Sequence, residues 1–140
     1  MILLCSGGRS YGIVPEGGGK VETWRARLER AIVHQVLREI NPSIVIVGDA
    51  TGADYWVRVA CGHLGIPCRQ FFADWKTLNK AAGPERNMRM VKQGKPDFAV
   101  LFPGGPGTAN MESLLLKFNI PHAKVSTVNV TLGNNPVHGG

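Results

Sequence analysis

The stretch Phe98-Ala99-Val100-Leu101-Phe102-Pro103-Gly104-Gly105-Pro106-Gly107-Thr108 decides the class of fold. An apolar run from Phe98 to Phe102, too short for a helix, reads as a strand buried on both faces. The glycine- and proline-rich loop that follows ends it. Beyond the loop, Met111, Leu114, Leu115 and Phe118 recur at i, i+3, i+4 and i+7, one apolar stripe of a helix. Strand, glycine loop and amphipathic helix in direct succession make half of a parallel β-α-β unit.

The same grammar repeats outward from this stretch. Ile2 to Cys5 is a short apolar strand delivered into Ser6, Gly7, Gly8 and Arg9, and Ile44 to Val47 is a β-branched strand delivered into Gly48 to Asp54. Between them, Trp24, Leu28, Ile32, Val36 and Ile40 recur every four residues, which predicts a long helix from Glu22 to Ile40 stopped by Asn41 and Pro42, with Trp24 in the core. A second helix, from about Ala53 to Leu64 and ended by Gly65, is expected to bury Trp56, Val59, Ala60 and His63. Pro67 to Phe72 reads as the third strand and Ala73 to Ala82 as loop, before a helix of Glu85 to Gln93 introduced by Gly83 and Pro84. Ile120 to Thr127 supplies a fifth strand, and the alternation of Val128, Val130 and Leu132 suggests an added edge strand. Arg9 to Lys20, with five of the chain's glycines and prolines, reads as a mobile flap.

Alternating strands and helices imply a doubly wound α/β fold: a parallel sheet of about five strands, order 3-2-1-4-5, covered by helices on both faces. Ligands of such sheets bind beyond the carboxyl ends of the strands where the order reverses. If the order is 3-2-1-4-5, that crevice lies between the first and fourth strands, flanked by the loops at Gly7, Gly48 and Pro103. At 140 residues the chain has room for one such domain, placed at residues 1–127, with 128–140 as a tail or edge strand. A hydrophobic fraction of 44% against 19% charged excludes a disordered chain.

Cys5, Cys61 and Cys68 are odd in number and lie in or beside apolar segments, which suits reduced core cysteines rather than a disulfide framework or a zinc site. The run Met1 to Cys5 lacks a basic leader and is too short for a signal peptide, so a cytoplasmic protein with no membrane segment is expected. A net charge of +6 favours an anionic partner. The basic residues form no run interleaved with aromatics, so a nucleotide is preferred to a nucleic acid, with the latter kept as a secondary expectation.

The loops carry the chemistry. Gly104, Gly105, Gly107 and Thr108 open a helix, where backbone N–H groups and the helix dipole favour a phosphate; Thr108 adds a hydroxyl donor or caps the helix. Gly48, Asp49 and Gly52 form a second loop, from which Asp54 either accepts from a ribose or base or favours its own helix N-terminus. Ser6, Gly7, Gly8 and Arg9 form the third. Arg86, in a first helical turn beside Asn87, is positioned to reach an anion, and Trp75, in a loop, to stack on a base. His34, His63, His122 and His138 have no metal-ligand spacing. No metal and no cofactor is expected.

Taken in order, Cys5-Ser6-Gly7-Gly8-Arg9, Gly48-Asp49-Ala50-Thr51-Gly52-Ala53-Asp54, Ala73-Asp74-Trp75, Ala82-Gly83-Pro84-Glu85-Arg86-Asn87 with Met90, and Pro103-Gly104-Gly105 with Gly107-Thr108 resemble the YspA-like branch of the SLOG superfamily, found in bacteria and their phages. The resemblance covers residues 1–127. It implies a Rossmann-like fold, a phosphate on the Pro103 to Thr108 loop, and Gly7, Gly8, Gly52 and Asp54 in the same pocket. The superfamily includes the Lonely guy phosphoribohydrolases and the DNA-processing protein DprA. In the hydrolase branch a glutamate two residues after the loop threonine is paired with an arginine of the preceding helix. Arg86 matches that arginine, but the glutamate position is Asn110, and Glu112 lies about 200° around the helix from it. An amide cannot serve as acid or base. The expectation is therefore a module that binds a phosphate-bearing nucleotide or nucleotide-derived signal, with no catalytic residue assigned. Nucleotide N-glycosidase activity, with Glu112, Asp54 or Asp49 standing in, is the first alternative, and DprA-like nucleic-acid binding the second. The apolar helix after the Pro103 loop, with Leu116, would also suit a homo-oligomer.

Overall fold

A computed structural model describes residues 1–133. Its sheet has five parallel strands in the order β3-β2-β1-β4-β5, formed by β1 (Ile2–Ser6), β2 (Ile44–Val47), β3 (Cys68–Gln70), β4 (Phe98–Leu101) and β5 (His122–Lys124). The helices are α1 (Lys20–Ile40), α2 (Ala53–Leu64), the short α3 (Trp75–Leu78), α4 (Ala82–Lys92) and α5 (Pro106–Lys117). Successive strand residues point to opposite faces. Leu3, Cys5, Val45, Val47 and Val100 therefore pack against α1 and α2, while Leu4, Ile46, Ala99 and Leu101 pack against α4 and α5. The fold is the doubly wound Rossmann-like α/β arrangement, with the strand order reversing between β1 and β4.

Several local expectations are corrected. The four-residue spacing in α1 does not make a straight stripe, because each step of four residues advances about 40° beyond a full turn. Ile32, Val36 and Ile40 meet the core, but Trp24 and Leu28 have rotated out of it and are 50% and 44% exposed. Ala26, Glu29, Val33 and Leu37 take the buried line instead. In α2 the buried residues are Ala53, Asp54, Val57, Ala60 and Cys61; Trp56 is half-buried against them and His63 is exposed. Cys5 and Cys61 are buried and Cys68 is exposed, all three free.

The flap is anchored at its root. Tyr11 is buried against Phe102, and the buried carboxylate of Glu29 accepts from Gly12 N at 2.7 Å while Arg30 Nε donates to Gly12 O at 2.7 Å. The stretch read as loop from Ala73 to Ala82 instead holds α3, whose start is capped by Asp74 accepting from Thr77 N at 3.2 Å, followed by one 3-10 turn over Asn79–Ala81. As a result α4 begins at Ala82, with Pro84 still in its first turn. β3 and β5 are shorter than their apolar runs because an edge strand is held only where its neighbour pairs with it. No strand follows Lys124 among the described residues, so Val128, Val130 and Leu132 add no edge; residues 134–140 of the expected tail lie outside them.

Candidate functional site

Three loops meet at the point where the strand order reverses. Gly8 N donates to Pro103 O at 2.9 Å, joining the loops after β1 and β4. Gly8 O accepts from Ala53 N at 3.0 Å and from Tyr11 N at 3.2 Å, joining both to the start of α2 and to the flap. The chain can come this close only because side chains are missing: a Cβ on Gly7 would stand 2.6 Å from the Cβ of Ala53, and one on Gly8 2.7 Å from Pro103 O.

A cavity of about 530 Å³ opens above this junction, within the size range of small-molecule sites. Of the residues singled out in the sequence, Ser6, Gly7, Gly8, Arg9, Asp54, Trp75, Arg86, Asn87, Gly105, Gly107 and Thr108 line it. Gly48, Asp49, Gly52 and Gly104 do not; they shape it from behind. A Cβ on Gly48 would collide with Asp54 and Arg86, one on Gly52 with the backbone of Gly8 and Arg9, and one on Gly104 with Thr108. Gly105 and Gly107 are different. A Cβ on either would meet nothing, and neither has a positive φ, so the fold itself does not demand glycine at these two positions.

The polar wall is a chain of hydrogen bonds whose directions are set by one residue. Arg86, 8% exposed, places Nη1 2.6 Å from Asp49 Oδ1 and donates from Nε to Asn87 Oδ1 at 3.1 Å. Because a guanidinium only donates, Asn87 must present its oxygen to it and its Nδ2 outward. That Nδ2 donates to Asn110 Oδ1 at 2.9 Å and to Gly107 O at 3.2 Å. Among the described residues Asn110 Nδ2 is left without a partner, a donor at the cavity wall. The first turn of α5 contributes backbone N–H groups without intrahelical partners, and no side chain caps it, so Thr108 is not an N-cap. At the mouth, the Arg9 guanidinium lies 5.1 Å from the centroid of the Trp75 ring, which is 43% exposed.

No family model and no curated protein matches this chain. The chemistry of the site is therefore read from its own geometry. Among the described residues Asp54 is the one carboxylate lining the cavity; it is 5% exposed, and Oδ2 accepts from Ala50 N at 3.0 Å. Burial raises its carboxyl from the ordinary 3.8 to about 6, against the Ala50 hydrogen bond and the attraction of Arg86 and Arg58, which lower it. Glu112 is turned away, paired with Lys124 at 3.2 Å in a separate groove beside β5. Glu112 therefore does not line the main cavity. Asp49 is committed to Arg86 at 2.6 Å. No helix of the described residues is long and apolar enough to cross a membrane, and none of their His, Cys, Asp and Glu side chains gather in a group that could hold a metal ion.

Six further residues line the cavity that the sequence did not single out as site residues: Ala50, Lys80, Gly83, Pro84, Pro106 and Asn110. Lys80 is brought to the cavity by the turn between α3 and α4, which no local pattern revealed. Asn110 was legible as a position but not as a donor, because its orientation depends on Arg86 two steps along the chain of bonds.

Asp54 makes stability depend on pH. The folded state holds this proton to a higher pH than the unfolded state does, so the contribution is complete below about 4 and is lost as pH rises through about 6. The loss is on the order of 3 kcal/mol. Asp54→Asn keeps an oxygen for Ala50 N and removes the titrating group. Urea unfolding at pH 4 and pH 7 is expected to show the wild-type protein losing stability across that interval and D54N losing much less. Parallel slopes for the two proteins would show that Asp54 does not titrate there.

Proposed function

We propose that the protein binds a phosphate-bearing nucleotide or nucleotide-derived signal in the cavity between β1 and β4, acting as a sensing or sequestering module. The observation that carries this reading is the pair of glycines at the uncapped start of α5. Glycine at Gly105 and Gly107 is unneeded by the packing, yet it leaves the backbone N–H groups open to a ligand at the positive end of a helix. The remaining polar groups support an anion as well: Arg9, Lys80 and Arg86 are cationic and Asn110 offers a donor. Trp75 supplies a flat apolar face at the mouth for a base. The resemblance to the YspA-like branch of the SLOG superfamily points the same way.

A thermal-shift screen of mononucleotides, cyclic nucleotides and dinucleotides tests it. A ligand present at a hundred times its Kd is expected to stabilise the protein by about 2.7 kcal/mol. Gly107→Val, whose Cβ meets nothing within 4 Å, is expected to leave stability within about 1 kcal/mol of wild type and to abolish the ligand shift. Retention of the shift in G107V would place the ligand elsewhere, and no shift with any nucleotide would refute the proposal.

A second reading, hydrolysis of an N-glycosidic bond, is favoured by one observation: the carboxyl of Asp54 is raised to about 6, near the range useful to a general acid. Chromatography of each hit after incubation separates the two. An intact ligand supports the binding module; free base and ribose phosphate, lost in D54N, support the enzyme.

A further inference from the structure

We propose that the protein has a second anion site, for a phosphate-bearing small molecule, in the cavity of about 310 Å³ between the loop after β2, the first turns of α2 and the root of the flap. Its wall is formed by Arg30, Arg58, Tyr55, Trp56, Thr51 and Asp49, among others. It borders the main cavity through Ala50, which lines both. Neither reading of the main cavity uses its two arginines.

Three features distinguish this pocket from an ordinary basic surface. Arg30 and Arg58, both partly buried, have no carboxylate within salt-bridge distance among the described residues. Both are held rather than free. The Arg30 guanidinium sits 4.0 Å from the centroid of Trp56 with Nε bonded to Gly12 O at 2.7 Å, and that of Arg58 sits 5.5 Å from the centroid of Tyr55. Cations fixed in place before the ligand arrives lose little freedom on binding.

The third feature is unanswered donors. Among the described residues Arg58 Nε and Trp56 Nε1 are both shut away from solvent without an acceptor. A buried donor without a partner is unusual and marks this wall as incompletely paired. Asp49 is the one carboxylate in the wall, and its charge is engaged on the other side: Oδ1 meets Arg86 at 2.6 Å and Oδ2 accepts from Ala73 N at 3.3 Å. Two pre-set guanidinium groups with donors to spare match the several acceptor oxygens of a phosphate better than a single carboxylate or a halide.

Arg58 Nε–H and the Trp56 indole N–H each give a resolvable signal in nitrogen-15 NMR spectra, so the site carries its own reporters. Inorganic pyrophosphate is titrated into the wild-type protein and into G107V, in which the main cavity is obstructed. Both signals are expected to move to saturation in both proteins, and Arg58→Gln or Arg30→Gln to weaken the interaction about tenfold or more. Arg58→Lys, which keeps the charge but not the fork, should fall between. Fixed Arg58 and Trp56 signals while the Thr108 amide responds would overturn the second site and leave the main one standing. Movement that vanishes in G107V, or that sodium chloride of equal ionic strength reproduces, would overturn it equally.

Discussion

Gly52→Ala is expected to cost about 3–5 kcal/mol of folding stability, enough to unfold a large share of an ordinary domain at room temperature. Gly52 has φ +75 and ψ −125, a region that residues with a Cβ rarely enter, and such strain alone costs on the order of 1–3 kcal/mol. The added Cβ would also strike the carbonyl of Gly8 and the backbone of Arg9. Those atoms cannot withdraw cheaply, because Gly8 is tied through N to Pro103 and through O to Ala53 and Tyr11. Urea unfolding reads the loss as a lower midpoint. Gly62→Ala is the control: it lies within the same helix, has open space around its Cβ and no positive φ. It is expected to stabilise by about 0.5–1 kcal/mol. A loss under about 1 kcal/mol in G52A would show that the loop junction is looser than its hydrogen bonds imply.

Arg86→Met is expected to weaken binding of the proposed nucleotide ligand about a hundredfold and to lower stability by about 2–3 kcal/mol. The two losses have different origins. Stability falls because Asp49, whose side chain is 19% exposed, is left beside the cavity without its 2.6 Å partner. Affinity falls because a cation is removed from the cavity, Asp49 then repels the phosphate, and Asn87 and Asn110 are no longer held with their amide nitrogens outward. Asp49→Asn in the same chain separates them. The double variant R86M/D49N is expected to recover most of the stability, since no unpaired charge remains, but to recover the affinity only in part. Full recovery of binding in the double variant would reduce Arg86 to a counterion for Asp49 and remove it from the ligand site.

The buried donor chain explains why one substitution carries both effects. Arg86 has no acceptor to offer, so it sets the orientation of Asn87, and Asn87 sets that of Asn110. A lysine in its place has no fork with which to hold Asp49 and Asn87 together.

Much of this could be read along the chain. The apolar runs at Ile2, Ile44 and Phe98 are uninterrupted because strands covered on both faces have no solvent side, and a glycine loop after each told where the strand ends. With the 3-2-1-4-5 order the crevice falls in the gap between β1 and β4, and the loops at Gly7, Gly48 and Pro103 surround it. Where the reading failed, the missing information was not local. The stripe Trp24 to Ile40 was placed on one face because its spacing of four looks regular, but only the position of the sheet decides where along that slow spiral the core begins. Glu29 looks like a surface charge and is instead the buried acceptor that holds Gly12. The turn that carries Lys80 to the cavity arises from the packing of α3 against α4.

The amino-acid sequence by itself determined the class of fold and the three glycine loops that follow strands, because these follow from periodicity, chain connectivity and the places where a side chain is absent; the strand order it suggested is fixed by the pairing seen in the structure. The tertiary structure alone decided which of the glycines are there for packing and which leave open space, since that depends on atoms from other loops. It alone decided that Asp54 is the carboxylate of the main cavity and Glu112 is not, that Asn110 faces that cavity as a donor, and that Arg30 and Arg58 share a pocket without a salt bridge among the described residues. Burial, hydrogen-bond direction and unpaired charge are properties of neighbours distant along the chain, and a sequence read in order does not contain them.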